Sequence, residues 1–306
     1  RQKVFFEKRD LIISQFKFIG IIYIFAVSLL LFLMYLLSQF SLIELNKQCF
    51  KIMGDMNWHA HCGINTYPFQ VAVNFKVPLL IWGEIFWDIS GMYDLNDTVE
   101  FTNRMRVEYD LRGYEWNDVI KNTSLKEKDM LWAKFPRDED YRKNKIRGIA
   151  IGNYFKWDPY KHTKMIQEKY NWKESSKPFE RTYRRMSNLD DRYENGIHDL
   201  LKFIKFGYGR ATDHASKDIR TGYMSRDEGI KMVKKYDHVV SSDLDYWLDY
   251  VKMDKDEFWS IADTFRSNKV WWIENNEWHK YNIWGGSSSF SEVRLKKELQ
   301  KKYLKK

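Results

Sequence analysis

The sequence predicts an α/β unit followed by a mostly α-helical C-terminal region, with a hydrophobic helix ahead of both. Three observations carry that expectation. Residues Phe18 to Ile43 contain no charged side chain and no histidine. Val77-Pro78-Leu79-Leu80-Ile81-Trp82 and Arg147-Gly148-Ile149-Ala150-Ile151-Gly152 are short apolar runs without polar alternation. Such runs suit strands of a parallel sheet covered on both faces. Beyond residue 155 the helix start and stop signals recur in register with apolar faces.

The apolar front segment is long enough, as a helix of about 39 Å, to cross a bilayer with some tilt. Arg1, Lys3, Lys8, Arg9 and Lys17 precede it, and fewer cations follow closely. That bias puts the N-terminus in the cytoplasm and marks a single-pass membrane protein. The run is too long for a cleaved signal peptide and lacks a small-residue cleavage site. The alternative is a buried helix and strand.

In the next part, Thr66-Tyr67-Pro68 opens a short helix with proline near its first turn. The strand that follows ends at Gly83-Glu84, and ligands of open parallel sheets bind beyond the carboxyl ends of strands. Glu84 is therefore a substrate-binding candidate or a surface acid. Ser124-Leu125-Lys126-Glu127 reads as a capping box, and Asp158-Pro159 as an N-cap with proline in the first turn. Ile197, Leu200, Leu201 and Ile204 share one helical face, and Gly207 stops that helix. Ser225-Arg226-Asp227-Glu228 and Asp254-Lys255-Asp256-Glu257 start two more helices in capping-box style. The expected parts are a hydrophobic segment 1–45, a partial α/β domain 46–155 and a helical region 156–306.

The chain has 306 residues and a formal net charge of +9, so an anionic partner fits. Acids interleave with the cations except in the basic tail from Arg294 to Lys306. An aromatic content of 17% excludes a disordered chain. Two cysteines cannot build a disulfide framework, which fits a reducing compartment.

The densest polar stretch is Gly207-Tyr208-Gly209-Arg210-Ala211-Thr212-Asp213-His214. Glycines permit sharp turns and close approach, and the Arg210 guanidinium is a fork for phosphate or carboxylate. Gly207, Gly209, Arg210, Asp213, Lys217 and Arg220 are substrate-binding candidates, with the three cations on phosphate. The alternatives are a glycine C-cap, an N-cap at Asp213 and solvated cations. Glu194 and His198 stand four apart on one helix face, the spacing of an acid–base pair or of a surface ion pair. With Asp199 and His214 they form the catalytic candidates, and Asn195 beside them is a substrate-binding candidate. Asp191, beside Asp190, is a magnesium candidate; adjacent residues on a helix point apart, so the two do not share an ion. His59, His61 and Cys62 cluster as metal donors, but their spacing fits no common zinc pattern.

Several of these stretches, in this order, resemble one family. Ala60-His61-Cys62-Gly63-Ile64-Asn65-Thr66-Tyr67-Pro68-Phe69 and Pro78-Leu79-Leu80-Ile81-Trp82-Gly83-Glu84 resemble the N-acetyl sugar amidotransferases of bacterial surface-glycan synthesis. So do Tyr193-Glu194-Asn195-Gly196-Ile197-His198-Asp199, the 207–214 stretch, Met224-Ser225-Arg226-Asp227-Glu228-Gly229-Ile230 and Glu257-Phe258-Trp259-Ser260-Ile261-Ala262-Asp263-Thr264-Phe265-Arg266. The likeness runs from about Asn46 to about Trp284.

The resemblance implies a PP-loop, Rossmann-like sheet in the α/β part. It implies ATP-dependent conversion of a sugar acetamido group to an acetamidino group in lipopolysaccharide or flagellin-type glycan synthesis. Its implied partners are a nucleotide-activated N-acetyl sugar, ATP with magnesium, and ammonia from a glutaminase/cyclase pair. Such chemistry is cytoplasmic or at the inner membrane. The family's Ser-Gly-Gly-Lys/Arg-Asp-Ser motif, expected upstream of Asn46, does not occur in this sequence. Nor does the family's cysteine-rich N-terminal region. Three readings remain: a shortened gene product, partnership with a separate PP-loop polypeptide, or a membrane-bound descendant without catalysis. Two rival functions stand beside the amidotransferase: a silent membrane-anchored scaffold of glycan assembly, and an RNA-binding module. The second lacks a basic stripe with spaced aromatics.

Overall fold

The computed structural model describes residues 39–84, 94–186 and 194–304. The chain forms two compact units, one of residues 58–157 with the segment up to Leu45, the other of residues 46–57 and 158–306. The α1 helix, Gln39–Met53, supplies residues to both.

In the first unit, α2 spans Trp58–Phe75 and leads into β1, Leu79–Trp82. Strand β1 pairs in parallel with β2, Arg147–Ala150, from Leu79↔Arg147 to Trp82↔Ala150. Parallel pairing is what the two apolar runs predict, but β1 is only half covered except at Trp82. Short helical turns fill the chain between the strands. Phe69, Trp82, Phe101, Met105, Ile146 and Ala150 form the core. The indole of Trp82 lies parallel to the Phe101 ring with centroids 5.3 Å apart.

Two expected helix starts are corrected. Pro68 lies inside α2 rather than near its first turn. The carbonyl it leaves without an amide belongs to Ile64, which is exposed, so water can satisfy it. Ser124 does not cap a helix, because its amide and its hydroxyl both donate to the Glu44 carboxylate. The turn there begins later, at Glu127, with the Lys126 amide donating to Asp129 at 2.9 Å.

In the second unit, six helices lie between Pro159 and Thr264 among the described residues, with an irregular stretch over 171–186. Helix α3, Pro159–Tyr170, starts as the sequence predicts: Asp158 accepts from the Lys161 amide at 3.1 Å and Pro159 fills the first turn. Then come α4, Asn195–Phe206, and α5, Arg210–Arg220. Next are α6, Arg226–Tyr236, α7, Asp243–Val251, and α8, Lys255–Thr264. The Ser225–Glu228 capping box forms with both of its bonds. Asp254 caps α8, but Glu257 reaches Lys51 instead of closing the box. The predicted apolar face of α4 is buried against Trp247, Leu248, Phe258 and Ala262. Phe50 and Met56, from the early segment 46–57, complete that core.

The expectation of a helical region to residue 306 is corrected by an antiparallel sheet. Strands β3, Trp271–Glu274, β4, Glu277–Tyr281, and β5, Ser287–Glu292, pair in order. Asn275 and Asn276 join β3 to β4 with φ of 51° and 61°. Two left-handed residues in a two-residue loop match the right-handed twist of the strands. Trp271, Trp278 and Tyr303 pack inside, with the buried Arg266 guanidinium over both indoles.

The apolar segment 18–43 lies outside the described residues except for its last five, which belong to α1. Among the described residues no helix is long and apolar enough to cross a membrane. Asp191 also lies outside them.

Candidate functional site

Helices α4 and α5 meet at Gly207, whose φ of 75° gives α4 a left-handed cap. This short turn faces Asp199 of α4 towards the first turn of α5. Arg210 grips Asp199 with two nitrogens, Nε at 3.0 Å from Oδ1 and Nη2 at 2.7 Å from the same oxygen. Burial would push the Asp199 carboxyl up. The hydrogen bond from His198 and the Arg210 cation outweigh it and hold Asp199 well below the usual carboxylate range. His198 lies between two acids, 3.6 Å from Asp199 and 3.9 Å from the buried Asp55. Its side chain remains partly exposed. Asp55 is held in turn by the Asn57 amide at 3.0 Å.

A second arginine fixes this arrangement from below. Arg181 is buried and donates to the backbone carbonyls of Asp199 at 3.1 Å, of Asp237 and of Val239. Burial pulls its guanidinium down to about 10.

The N-terminus of α5 is an anion site by geometry, and a carboxylate of the same chain fills it. Asp237 accepts from the Gly209 amide at 2.9 Å, the Thr212 amide at 3.0 Å and the Thr212 hydroxyl. A Cβ at position 209 would lie 3.0 Å from the Asp237 carboxylate and 3.1 Å from its carbonyl, so glycine keeps that approach free of crowding.

A third group lies along α5. Asp218, fully buried, accepts from Arg184, from the Tyr160 hydroxyl at 2.8 Å and from the Tyr183 hydroxyl. His214 shares a 2.6 Å hydrogen bond with the Thr182 hydroxyl through Nδ1. Burial, with help from the Arg184 and Arg210 cations, pushes the imidazole down to about 2.

These contacts sort the candidates. His198, Asp199 and Arg210 come together, with Glu194 and Asn195 in the first turn of the same helix. His198 is bracketed by Asp199 and Asp55, two partners that the spacing of Glu194 and His198 does not reveal. His214 is held neutral, so it does not exchange protons near neutral pH. Asp213 does not cap α5; it pairs with Lys202. Arg210 is bound to Asp199 rather than open to a phosphate. Lys217 is half-buried, and Arg220 is exposed, donating to Ser216 at 3.2 Å. Gly207 and Gly209 shape the turn and offer no free amide cradle, because Asp237 occupies it.

Glu84 belongs to the first unit, at the carboxyl end of β1 as expected, where its carbonyl accepts from the Gly152 amide at 3.0 Å. Burial pushes Asp110 of that unit up to about 7, and the Glu84 charge adds to the effect. The metal reading of His59, His61 and Cys62 is corrected. All three lie on α2, with His59 and His61 two residues apart and so on different sides. Cys62 donates to the Ala133 carbonyl, and burial pushes its thiol up to about 12, far from the thiolate a metal needs. Among the described residues no three acidic, histidine or cysteine side chains converge as a metal site.

Sequence reasoning missed Arg181, Thr182, Arg184, Asp218 and Asp237. For Arg181, Thr182 and Arg184 the signal was present: Glu180-Arg181-Thr182-Tyr183-Arg184-Arg185 is as dense in polar groups as the 207–214 stretch.

Residues 161–283 match the model of a protein family described as LPS biosynthesis protein WbpG-like, C-terminal domain. A comparison with curated proteins finds no match for the chain.

Proposed function

We propose that this chain acts in lipopolysaccharide biosynthesis as the acceptor-handling part of an N-acetyl sugar amidotransferase. Its substrate would be a nucleotide-activated N-acetyl sugar, its product the corresponding acetamidino sugar, and its nitrogen source ammonia from a glutaminase/cyclase partner. The observation that carries this reading is the family match over residues 161–283, which includes His198, Asp199, Arg210, His214 and Asp218. The match supports the lipopolysaccharide role; the amidine chemistry rests on the motif resemblance.

Asp237 fills the glycine-flanked start of α5, so no phosphoryl step is assigned to that turn; a separate PP-loop polypeptide would supply it.

Replacing an amide oxygen by nitrogen needs a group that takes protons from the attacking ammonia. His198 is the residue suited to that task. It is partly exposed, and the carboxylates of Asp199 and Asp55 lie on either side of its ring. Arg210 fixes Asp199, and Arg181 fixes the backbone beneath it, so the histidine is held in one orientation.

The test compares surface glycan from cells lacking the gene with glycan from cells given it back. Mass spectrometry reads the exchange of one oxygen for NH. Acetamidino groups should vanish on deletion, return with the natural chain, and stay absent with His198→Gln. An unchanged glycan in the deletion strain would overturn the amidotransferase reading and favour the silent scaffold.

A further inference from the structure

Between α4, α5, α6 and the β3–β5 sheet lies a cleft of about 240 Å³. It is separate from the His198 face of α4, since Phe203 and Gly207 line it. Drug-sized ligands occupy pockets of roughly 300–1,000 Å³, so this cleft suits one ring and its substituent rather than a whole nucleotide sugar.

Its floor holds an unusual cation. Lys280 is 8% exposed and makes one hydrogen bond, to the Tyr281 carbonyl at 3.0 Å. Otherwise its ammonium lies over the rings of Phe203 at 5.9 Å and Phe290 at 5.1 Å. Among the described residues no carboxylate lies within ion-pair distance of it. The nearby acid, Asp237, has its oxygens committed to the α5 amides and Thr212. A buried ammonium without a paired anion is costly, and two of its three donors are left for a ligand. Burial accordingly pulls the Lys280 amine down, with only partial relief from the Asp237 charge.

The walls supply the rest. Trp284 lines the cleft with the Lys234 ammonium 4.9 Å from its ring centroid, and the exposed Tyr208 lines it too. Thr212, Ser288 and Ser289 add hydroxyls. Aromatic faces pack on the C–H faces of a ring, hydroxyls bond its hydroxyls, and two lysines match one doubly charged group.

We propose that this cleft binds a monosaccharide carrying a phosphate, with Lys280 and Lys234 on the phosphate and Trp284 and Tyr208 against the ring. The inference rests on the glycan reading above and adds a second place of sugar recognition, distinct from the His198 face, with its chemistry. The phosphate could belong to a free sugar phosphate or to the sugar end of a nucleotide sugar.

Calorimetry on the full chain tests it, with N-acetylglucosamine 1-phosphate, UDP-N-acetylglucosamine, N-acetylglucosamine and inorganic phosphate as probes. At least one phosphorylated sugar should bind. The neutral sugar and inorganic phosphate should each bind at least about tenfold more weakly. A preference between the first two probes identifies the source of the phosphate. Lys280→Met should weaken binding by about tenfold or more, and Trp284→Ala should do so without disturbing the fold. Circular dichroism checks that Lys280→Met folds; if it does not, Trp284→Ala and Lys234→Ala together decide. Tight binding that these variants leave unchanged overturns the cleft alone. No binding of either phosphorylated sugar overturns the cleft and also weakens the glycan reading.

Discussion

Asp218 gathers more of the second unit than any residue the sequence singled out. It joins α5 to α3 through Tyr160 and to the 179–186 segment through Tyr183 and Arg184. Asp218→Asn keeps the shape and removes the charge, leaving the buried Arg184 guanidinium without its anion. Breaking a buried pair in this way costs about 3–5 kcal/mol, so urea denaturation should show a loss of that size. A change below about 1 kcal/mol would mean that the network is wrongly drawn. His214 gives a second test at this scale. Its folded-state pKa of about 2 lies below the unfolded value, so only the unfolded chain takes up a proton as pH falls. Above the unfolded pKa near 6.5 the residue has no effect, and below it stability drops. Between pH 7 and pH 5 the natural chain should lose about 2 kcal/mol that His214→Asn does not lose. Equal pH slopes for the two chains would contradict a neutral, buried imidazole.

At the scale of elements, punctuation residues were the most legible. Asp158-Pro159, Ser225-Glu228 and Gly207 mark helix ends because each acts through its own backbone neighbourhood. Ser124 and Glu257 failed as cap signals because distant partners, Glu44 and Lys51, captured their side chains. That competition cannot be read from local spacing. The β3–β4 hairpin was legible and overlooked. Its Asn-Asn pair flanked by Trp-Trp-Ile and Trp-His-Lys-Tyr is a turn signal between strand formers. The hairpin predicts an asymmetry: Asn276→Gly should hold or slightly raise thermal stability, because glycine accepts positive φ. Asn276→Val should lower stability by about 1–2 kcal/mol, because a branched side chain resists that conformation. In the candidate site, His198 and Asp199 were legible through their place on one helix, but the grip of Arg210 on Asp199 was not, since the sequence reading assigned Arg210 to a phosphate. The role of Asp237 was not, since nothing in the sequence says which acid will fill a distant helix start.

At the scale of the whole molecule, the second unit is discontinuous in sequence. Phe50 lies stacked on Phe258, with centroids 4.9 Å apart, and edge-on to Trp247 at 5.4 Å. Asn46 accepts from the Trp247 indole at 3.2 Å. A fragment of residues 158–306 alone would therefore have an open core. It should show weak near-ultraviolet circular dichroism and bind a hydrophobic dye, and a peptide of residues 46–57 added in trans should reverse both. Phe50→Ala in the full chain should cost about 3–5 kcal/mol. A fragment that folds cooperatively without the peptide would refute this account of the unit.

The same arrangement sets a timetable for the newborn chain. Asn46 and Trp247 are separated by 201 positions, which a ribosome adding about 5–20 residues per second covers in roughly 10–40 s. Through that interval Phe50 and Met56 have emerged while the aromatic residues that will shelter them are still unmade. Biogenesis of this protein should therefore depend on chaperones that shield early-emerging apolar segments, and a slowed ribosome should lower its yield.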